Sequence, residues 1–94
     1  MNNYQITLGQ TYYNKGFINL GVAASQFIGE NGENLILILG NEGEINITIN
    51  RNANNNASVR LYGGNILRLF IQNNFIQNDI MQFQVINPNL IEIL

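Results

Sequence analysis

The chain contains no cysteine and no histidine. Without cysteine there is no disulfide framework and no thiolate nucleophile, and without both residue types a zinc finger cannot form. The absence of histidine also removes the commonest general acid and base. No apolar run approaches the ~18 residues of a membrane-spanning helix, and the first residues lack the basic and apolar parts of a signal peptide. These absences predict a cytoplasmic protein that needs no cofactor.

Charged side chains are scarce, at 11% of the chain against about 25% in typical proteins. There are 6 acidic and 4 basic residues, and Lys15 is the only lysine. Amides take the place of the missing charges, with 19 Asn and 7 Gln. Hydrophobic residues nevertheless make up 46% of the chain, which argues against disorder. A chain of 94 residues is expected to form one domain, residues 1–94, around one core.

Most apolar residues recur at every second position, which is the spacing of a strand with one buried face. The run from Ile45 to Asn50 alternates isoleucine with a polar residue, and residues 18–22, 58–62, 81–85 and 91–93 follow the same pattern. Leu35–Leu39 is apolar throughout and predicts a strand covered on both faces. The inward positions are predicted to form the core: Ile18, Leu20, Leu37, Ile45, Ile47, Val59, Leu61, Phe70, Phe83 and Val85.

Two segments have helical rather than strand spacing. In residues 65–74 the apolar positions, Ile66 among them, fall on one side, and residues 23–28 group Ala23, Phe27 and Ile28. Polar and glycine-rich turns separate the strands, at residues 29–32, 40–43, 51–56 and 87–89. The predicted fold is mainly β, a small barrel or sandwich of about seven strands with two short helices at its ends.

The acidic residues do not predict an enzyme. Four of the six, Glu30, Glu33, Glu42 and Glu44, lie in or beside the glycine-rich turns, where solvated side chains are usual. Asp79 instead lies between a predicted helix and a strand, where a carboxylate accepts backbone N–H groups of the turn. A small hydrolase that uses two of the glutamates is therefore the weakest alternative.

The segment Phe70–Phe83 resembles a pattern of the B3-like DNA-binding pseudobarrel. That family includes plant B3 transcription-factor domains and the recognition domains of certain bacterial restriction endonucleases. The pattern is a helix Phe, then Asn-apolar-x-x-Gly-Asp, then a strand with an apolar-x-Phe step. Asn78 stands where the family has Gly, and Asn is the next-best residue for a left-handed position. The residues that match the pattern directly are Asn74, Phe75, Asp79 and Phe83. The order of elements resembles the family over roughly residues 8–87, including a central hairpin in residues 35–49.

The resemblance implies a seven-stranded open pseudobarrel with two arms that grip the DNA major groove. The first arm would comprise Tyr12, Tyr13, Asn14 and Lys15. The second would comprise Arg51, Asn52, Asn54, Asn55 and Asn56, with Arg60 on the adjoining strand. Arginine suits guanine edges, asparagine suits adenine edges, and lysine suits phosphates. The implied function is a sequence-specific, non-catalytic module for double-stranded DNA. It would be the recognition domain of a restriction-type protein, with a nuclease domain or subunit as a further partner.

A carbohydrate- or protein-binding β-module of structural type is the alternative. Asn, Gln and Tyr on a β-face also suit sugar hydroxyls. A net charge of −2 lacks the basic footprint that is usual for a DNA-binding domain. The positions of the cations discriminate between the two hypotheses. Lys15, Arg51 and Arg60 around one concave face would favour DNA, and dispersed cations would favour the alternative.

Overall fold

A computed structural model describes residues 2–54 and 57–94. Along this part of the chain the elements are β1 (Asn2–Thr7), α1 (Gln10–Lys15), β2 (Phe17–Asn19), α2 (Val22–Ser25), β3 (Asn34–Leu39), β4 (Glu44–Thr48), β5 (Arg60–Tyr62), α3 (Gly64–Asn74), β6 (Ile80–Asn87) and β7 (Leu90–Ile93). The seven strands agree with the prediction of a mainly β fold. Both predicted helices are present, as α2 and α3, but the predicted number is too low, because the segment expected to form the first arm is itself a helix, α1.

The strands form two sheets. The larger sheet has the order β1-β6-β7-β3-β4, so β1 and β4 lie at its edges. β3 and β7 are parallel, whereas the other neighbours are antiparallel. β2 and β5 pair separately as a two-stranded ribbon, and an isolated bridge between Asn50 and Arg60 joins this ribbon to the segment that follows β4. The predicted turns at residues 40–43 and 87–89 connect antiparallel neighbours and are confirmed.

Alternation along the strands directs one set of side chains into a hydrophobic core. The predicted core residues are all buried except Ile45, which is half-buried against the same cluster. The sequence predicted that β3 is covered on both faces, and this prediction is wrong. It buries Leu35, Leu37 and Leu39, but Ile36 and Ile38 on its other face are only half-buried, because the paired strands β4 and β7 lie beside β3 and cover neither of its faces.

α3 buries Leu67, Phe70 and Ile71 as predicted, whereas α2 differs in phase from the prediction. Ala23 and Phe27 are exposed, and Ala24 is buried in their place. Ile66, near the start of α3, is also exposed. α2 has only four residues and follows Gly21, whose φ is 87°. The direction in which the chain leaves Gly21, rather than apolar spacing, therefore determines which side of α2 is buried. None of the helices in the described residues is long and apolar enough to cross a membrane.

The turn between α3 and β6 forms as the sequence predicted. Asn78 has a φ of 76°, the left-handed conformation expected where it replaces Gly. The carboxylate of Asp79 accepts the N–H of Ile76 at 3.0 Å. The backbone of Leu8 closes the turn, since its N–H donates to the Asp79 carbonyl and its carbonyl accepts the Asn78 N–H, both at 2.8 Å. The predicted structural role of Asp79 is confirmed.

Candidate functional site

The β2–β5 ribbon presents a polar and aromatic face to solvent. Its register pairs Phe17 with Tyr62 and Asn19 with Arg60. The residues between them, Ile18 and Leu61, are almost fully buried. Because successive strand residues point to opposite faces, the four paired residues must point outward. We refer to these four residues, together with the adjacent Tyr12, as the ribbon surface.

Arg60 is held in one orientation at the centre of the ribbon surface. Its Nε donates to Oδ1 of Asn19 at 2.9 Å, and its Nη1 donates to the Tyr62 hydroxyl at 3.2 Å. The guanidinium carbon lies 4.4 Å from the centroid of the Phe17 ring, within the range of a cation–π contact. The Tyr12 ring packs edge-on against Phe17, with centroids 5.8 Å apart. The arginine is therefore pre-oriented by neighbours from both strands.

The predicted first arm, Tyr12–Lys15, is divided between the ribbon surface and the contact of α1 with α3. The Tyr13 hydroxyl donates to the carbonyl of Phe75 at 3.2 Å, and its own carbonyl accepts a hydrogen bond from Gln72, so Tyr13 ties α1 to α3. Asn14 bonds within α1, to the carbonyl of Gln10. Tyr12 reaches the ribbon surface, and Lys15 is exposed at the helix end beside β2. Tyr12 and Lys15 are thus available at the site, and Tyr13 serves the fold.

The end of α1 is fixed to the start of α3 by Gly16. This glycine has a φ of 73°, and its carbonyl accepts the N–H groups of Gly63 and Gly64 at 2.9 and 3.0 Å. A Cβ at this position would collide with the carbonyl oxygen of Gly64. The close approach explains why a short helix with no fully buried residue keeps a defined place next to the ribbon.

Arg51 of the predicted second arm is occupied by the fold. Its Nη2 donates to the carbonyls of Ser25, Ile28 and Gly29 at 2.8 to 3.0 Å, and its Nε donates to Gly29 at 3.1 Å. Carbonyl groups at the end of a helix lack hydrogen-bond partners within the helix, and the Arg51 guanidinium donates hydrogen bonds to these carbonyls. Arg51 therefore caps α2 and the turn after it, and its engaged donors do not reach outward toward a base.

The remainder of the second arm is polar. Asn52–Asn54 form a 3₁₀ turn that begins under the Asn50 side chain, whose Oδ1 accepts the N–H groups of Asn52 and Ala53 at 3.0 and 3.1 Å. Asn52 is exposed. Asn55 and Asn56, also predicted for this arm, lie outside the described residues.

A shallow groove of about 470 Å³ lies between this segment and the ribbon. The described residues of its walls carry amides, the Thr48 hydroxyl and the Tyr62 ring, and none of them is charged. We call it the amide groove; its lining residues are Asn31, Gly32, Asn46, Ile47, Thr48, Ile49, Asn50, Asn52 and Tyr62. The outward phase of Asn46 and Thr48 was readable from the alternation in β4. The position of Tyr62 opposite these two residues could not be read from the sequence, because the ribbon and the large sheet come together only through contacts between residues far apart in the chain.

The four cations are partly grouped. Arg60 is on the ribbon surface and Lys15 lies beside it, whereas Arg51 points under α2. Arg68 lies on α3, where it has long contacts of 3.4 and 3.5 Å with Asn65 and Gln72.

Within residues 2–54 and 57–94 no group of three or more acidic side chains is arranged to hold a metal ion. No family model, no curated protein and no solved structure matches the chain.

Proposed function

We propose that the chain is a sequence-specific, double-stranded DNA-binding module of the B3-like pseudobarrel type that reads the major groove with the ribbon surface and its two flanking segments. The observation that carries the proposal is the pre-oriented guanidinium of Arg60 on an outward face. α1 leads into β2, and the Asn-rich segment leads into β5. Since β2 and β5 are antiparallel, the two segments flank the ribbon at opposite ends.

The chemistry of this surface fits base recognition. A guanidinium whose planar fork is held in place can pair with O6 and N7 of guanine. Exposed amides such as Asn52 can pair with adenine, and Lys15 can hold a phosphate. Arg51 has no part in base recognition in this proposal, because its donors serve the fold. The module binds without catalysis, and cleavage in a restriction-type protein would belong to a nuclease domain or subunit.

The test is fluorescence anisotropy on a duplex obtained by selection from randomised oligonucleotides, at about 50 mM salt where electrostatic attraction is strong. Arg60→Ala is expected to weaken binding by about 5- to 150-fold and to relax the preference at one base pair. Arg60→Lys is expected to lose the same preference, because lysine lacks the planar fork. Arg68→Ala is the matched control and should bind as the parent does.

Two results would contradict the proposal. One is a folded parent chain that binds no duplex at this salt concentration. The other is an Arg60→Ala variant that binds with the same affinity and base preference as Arg68→Ala. Circular dichroism on each variant excludes loss of folding as the cause of lost binding.

A carbohydrate-binding function is the second candidate, and the amide groove favours it. Amides both donate and accept hydrogen bonds, as sugar hydroxyls do, and Tyr62, 51% exposed, offers a ring face beside them. Binding to a glycan array that Asn46→Ala and Tyr62→Ala abolish would support this candidate. Such binding should hardly change with salt, whereas DNA binding should weaken as salt rises.

A further inference from the structure

The edge of β1 is a second feature of the fold. Leu8 exchanges hydrogen bonds with Asn78 and Asp79 of the turn before β6, and the N–H of Leu94 donates to the carbonyl of Gln82 on the β7 side of β6. Backbone groups alternate in direction along an antiparallel strand. Tyr4 and Ile6 therefore turn their N–H and C=O groups toward β6, and Asn3 and Gln5 turn theirs away from the sheet.

No described strand pairs with this side of β1. Natural edge strands are usually protected by charged residues, proline or a bulge. β1 has none of these protections, since its sequence Asn-Asn-Tyr-Gln-Ile-Thr is uncharged and contains neither proline nor glycine, and its register with β6 is regular. The outward donors and acceptors of Asn3 and Gln5 thus form a short, open template for another extended backbone.

A groove of about 610 Å³ runs beside this edge, with α2 as its opposite wall. The α2 wall consists of small or short residues, including Gly21, Ala23 and Ala24, which leave room for a backbone. Among the described residues, none that lines the groove has a charged side chain. The full set of lining residues is Asn3, Tyr4, Gln5, Leu20, Gly21, Val22, Ala23, Ala24 and Gln82.

The α2 wall is held in place from the interior. The buried Ser25 hydroxyl donates to the Gly21 carbonyl at 2.6 Å and accepts the N–H of Val59 at 2.8 Å. The Ser58 hydroxyl accepts the N–H of Gly21 at 3.0 Å. On the other side, Tyr4 stacks on Phe83 with ring centroids 5.5 Å apart. Both walls are therefore preorganised, which lowers the entropic cost of filling the groove.

We propose that this groove binds an extended, uncharged polypeptide segment, which adds to β1 as a sixth strand of the large sheet. Backbone hydrogen bonds to Asn3 and Gln5 would provide affinity. Alternate side chains of the segment would contact the apolar floor at Tyr4 and Leu20 or the amides of Gln5 and Gln82. A second copy of this chain fits less well, because its own β6 would accompany its β1 and meet the α2 wall.

The experiment uses a displayed library of random peptides of about nine residues, longer than a typical strand, selected on the intact chain. Gln5→Pro removes one outward N–H and leaves the bonds to β6 in place. Gln5→Thr changes the same side chain but keeps the N–H, and is the matched control. Ala23→Trp fills the groove from the other wall. Enriched peptides are expected to lose about tenfold or more in affinity for the Pro and Trp variants, and to bind Gln5→Thr within about twofold of the parent.

Three outcomes would overturn the proposal. The first is a selection in which no peptide is enriched on the parent chain relative to the Gln5→Pro variant. The second is a set of enriched peptides that keep their affinity when alternate backbone nitrogens are methylated, a result that stands even if Gln5→Pro does not fold. The third is a parent chain that sediments as a dimer and becomes monomeric on Ala23→Trp, since a second copy would then be the occupant.

Discussion

Replacing Arg51 should lower the free energy of unfolding far more than replacing a cation on the protein surface, such as Arg68. Arg51→Met keeps most of the side-chain length but removes four hydrogen bonds to three carbonyls at the end of α2. A hydrogen bond to a charged group contributes about 1.5–3 kcal/mol net, and water can replace part of it at a half-buried site. We expect a total loss of about 2–4 kcal/mol, a large share of the 5–15 kcal/mol typical of a domain.

Urea unfolding followed by far-UV circular dichroism measures this loss, since the chain has no tryptophan to report by fluorescence. In a domain of this size the same loss lowers the melting temperature by about 10–30 °C. Arg68→Met is the control, because its contacts are long and lie on the helix surface, and it should cost less than about 0.5 kcal/mol. Equal losses for the two variants would refute the capping role of Arg51.

Three further results are expected. Phe83→Ala should cost about 3–5 kcal/mol in urea unfolding, because the ring is fully buried, and a loss below about 1 kcal/mol would show a peripheral position. Asp79→Ala should cost about 1–3 kcal/mol by the same measurement, since the N–H of Ile76 loses its acceptor, and an unchanged stability would contradict this role. In anisotropy titrations, the slope of log K against log salt should be about −1, for one phosphate contact from Lys15, because Arg60 contacts a base in the proposed function. A slope near −4 would mean that all four cations reach the DNA.

Six of the seven strands were predictable from local alternation or apolar runs, whereas no strand was predicted for β1. Alternation in β4 and β6 showed which face is buried, and the Asn78–Asp79 turn followed from the conformational tolerance of Asn and the acceptor capacity of Asp. α1 was not predictable in this way. It has no fully buried residue, and its position depends on contacts of Gly16 with Gly64 and of Tyr13 with Phe75, far away in the sequence. Local spacing carries no information about such contacts.

The candidate site shows the same division. Sequence reasoning placed Arg51 and Arg60 together, since both are basic and border one Asn-rich segment. Their surroundings separate them, because Arg51 meets carbonyls from more than 20 residues upstream, whereas Arg60 meets the outward side chains of its own ribbon. A cation's role depends on which unsatisfied acceptors it meets after folding, and the sequence does not list those acceptors.

The scarcity of charge shapes how such a surface would bind DNA. Few phosphate contacts make non-specific attraction weak, because most of that attraction comes from counterion release. Base contacts must then supply a larger share of the affinity. If the arginine were flexible in the free protein, ordering its side chain on binding would cost about 0.5–1.5 kcal/mol of binding free energy. Asn19, Phe17 and Tyr62 already order Arg60, so little of this cost arises on binding. In the proposed function, the uncharged amide groove next to it would add hydrogen bonds without adding non-specific attraction. The arrangement would then favour discrimination between sequences over overall affinity.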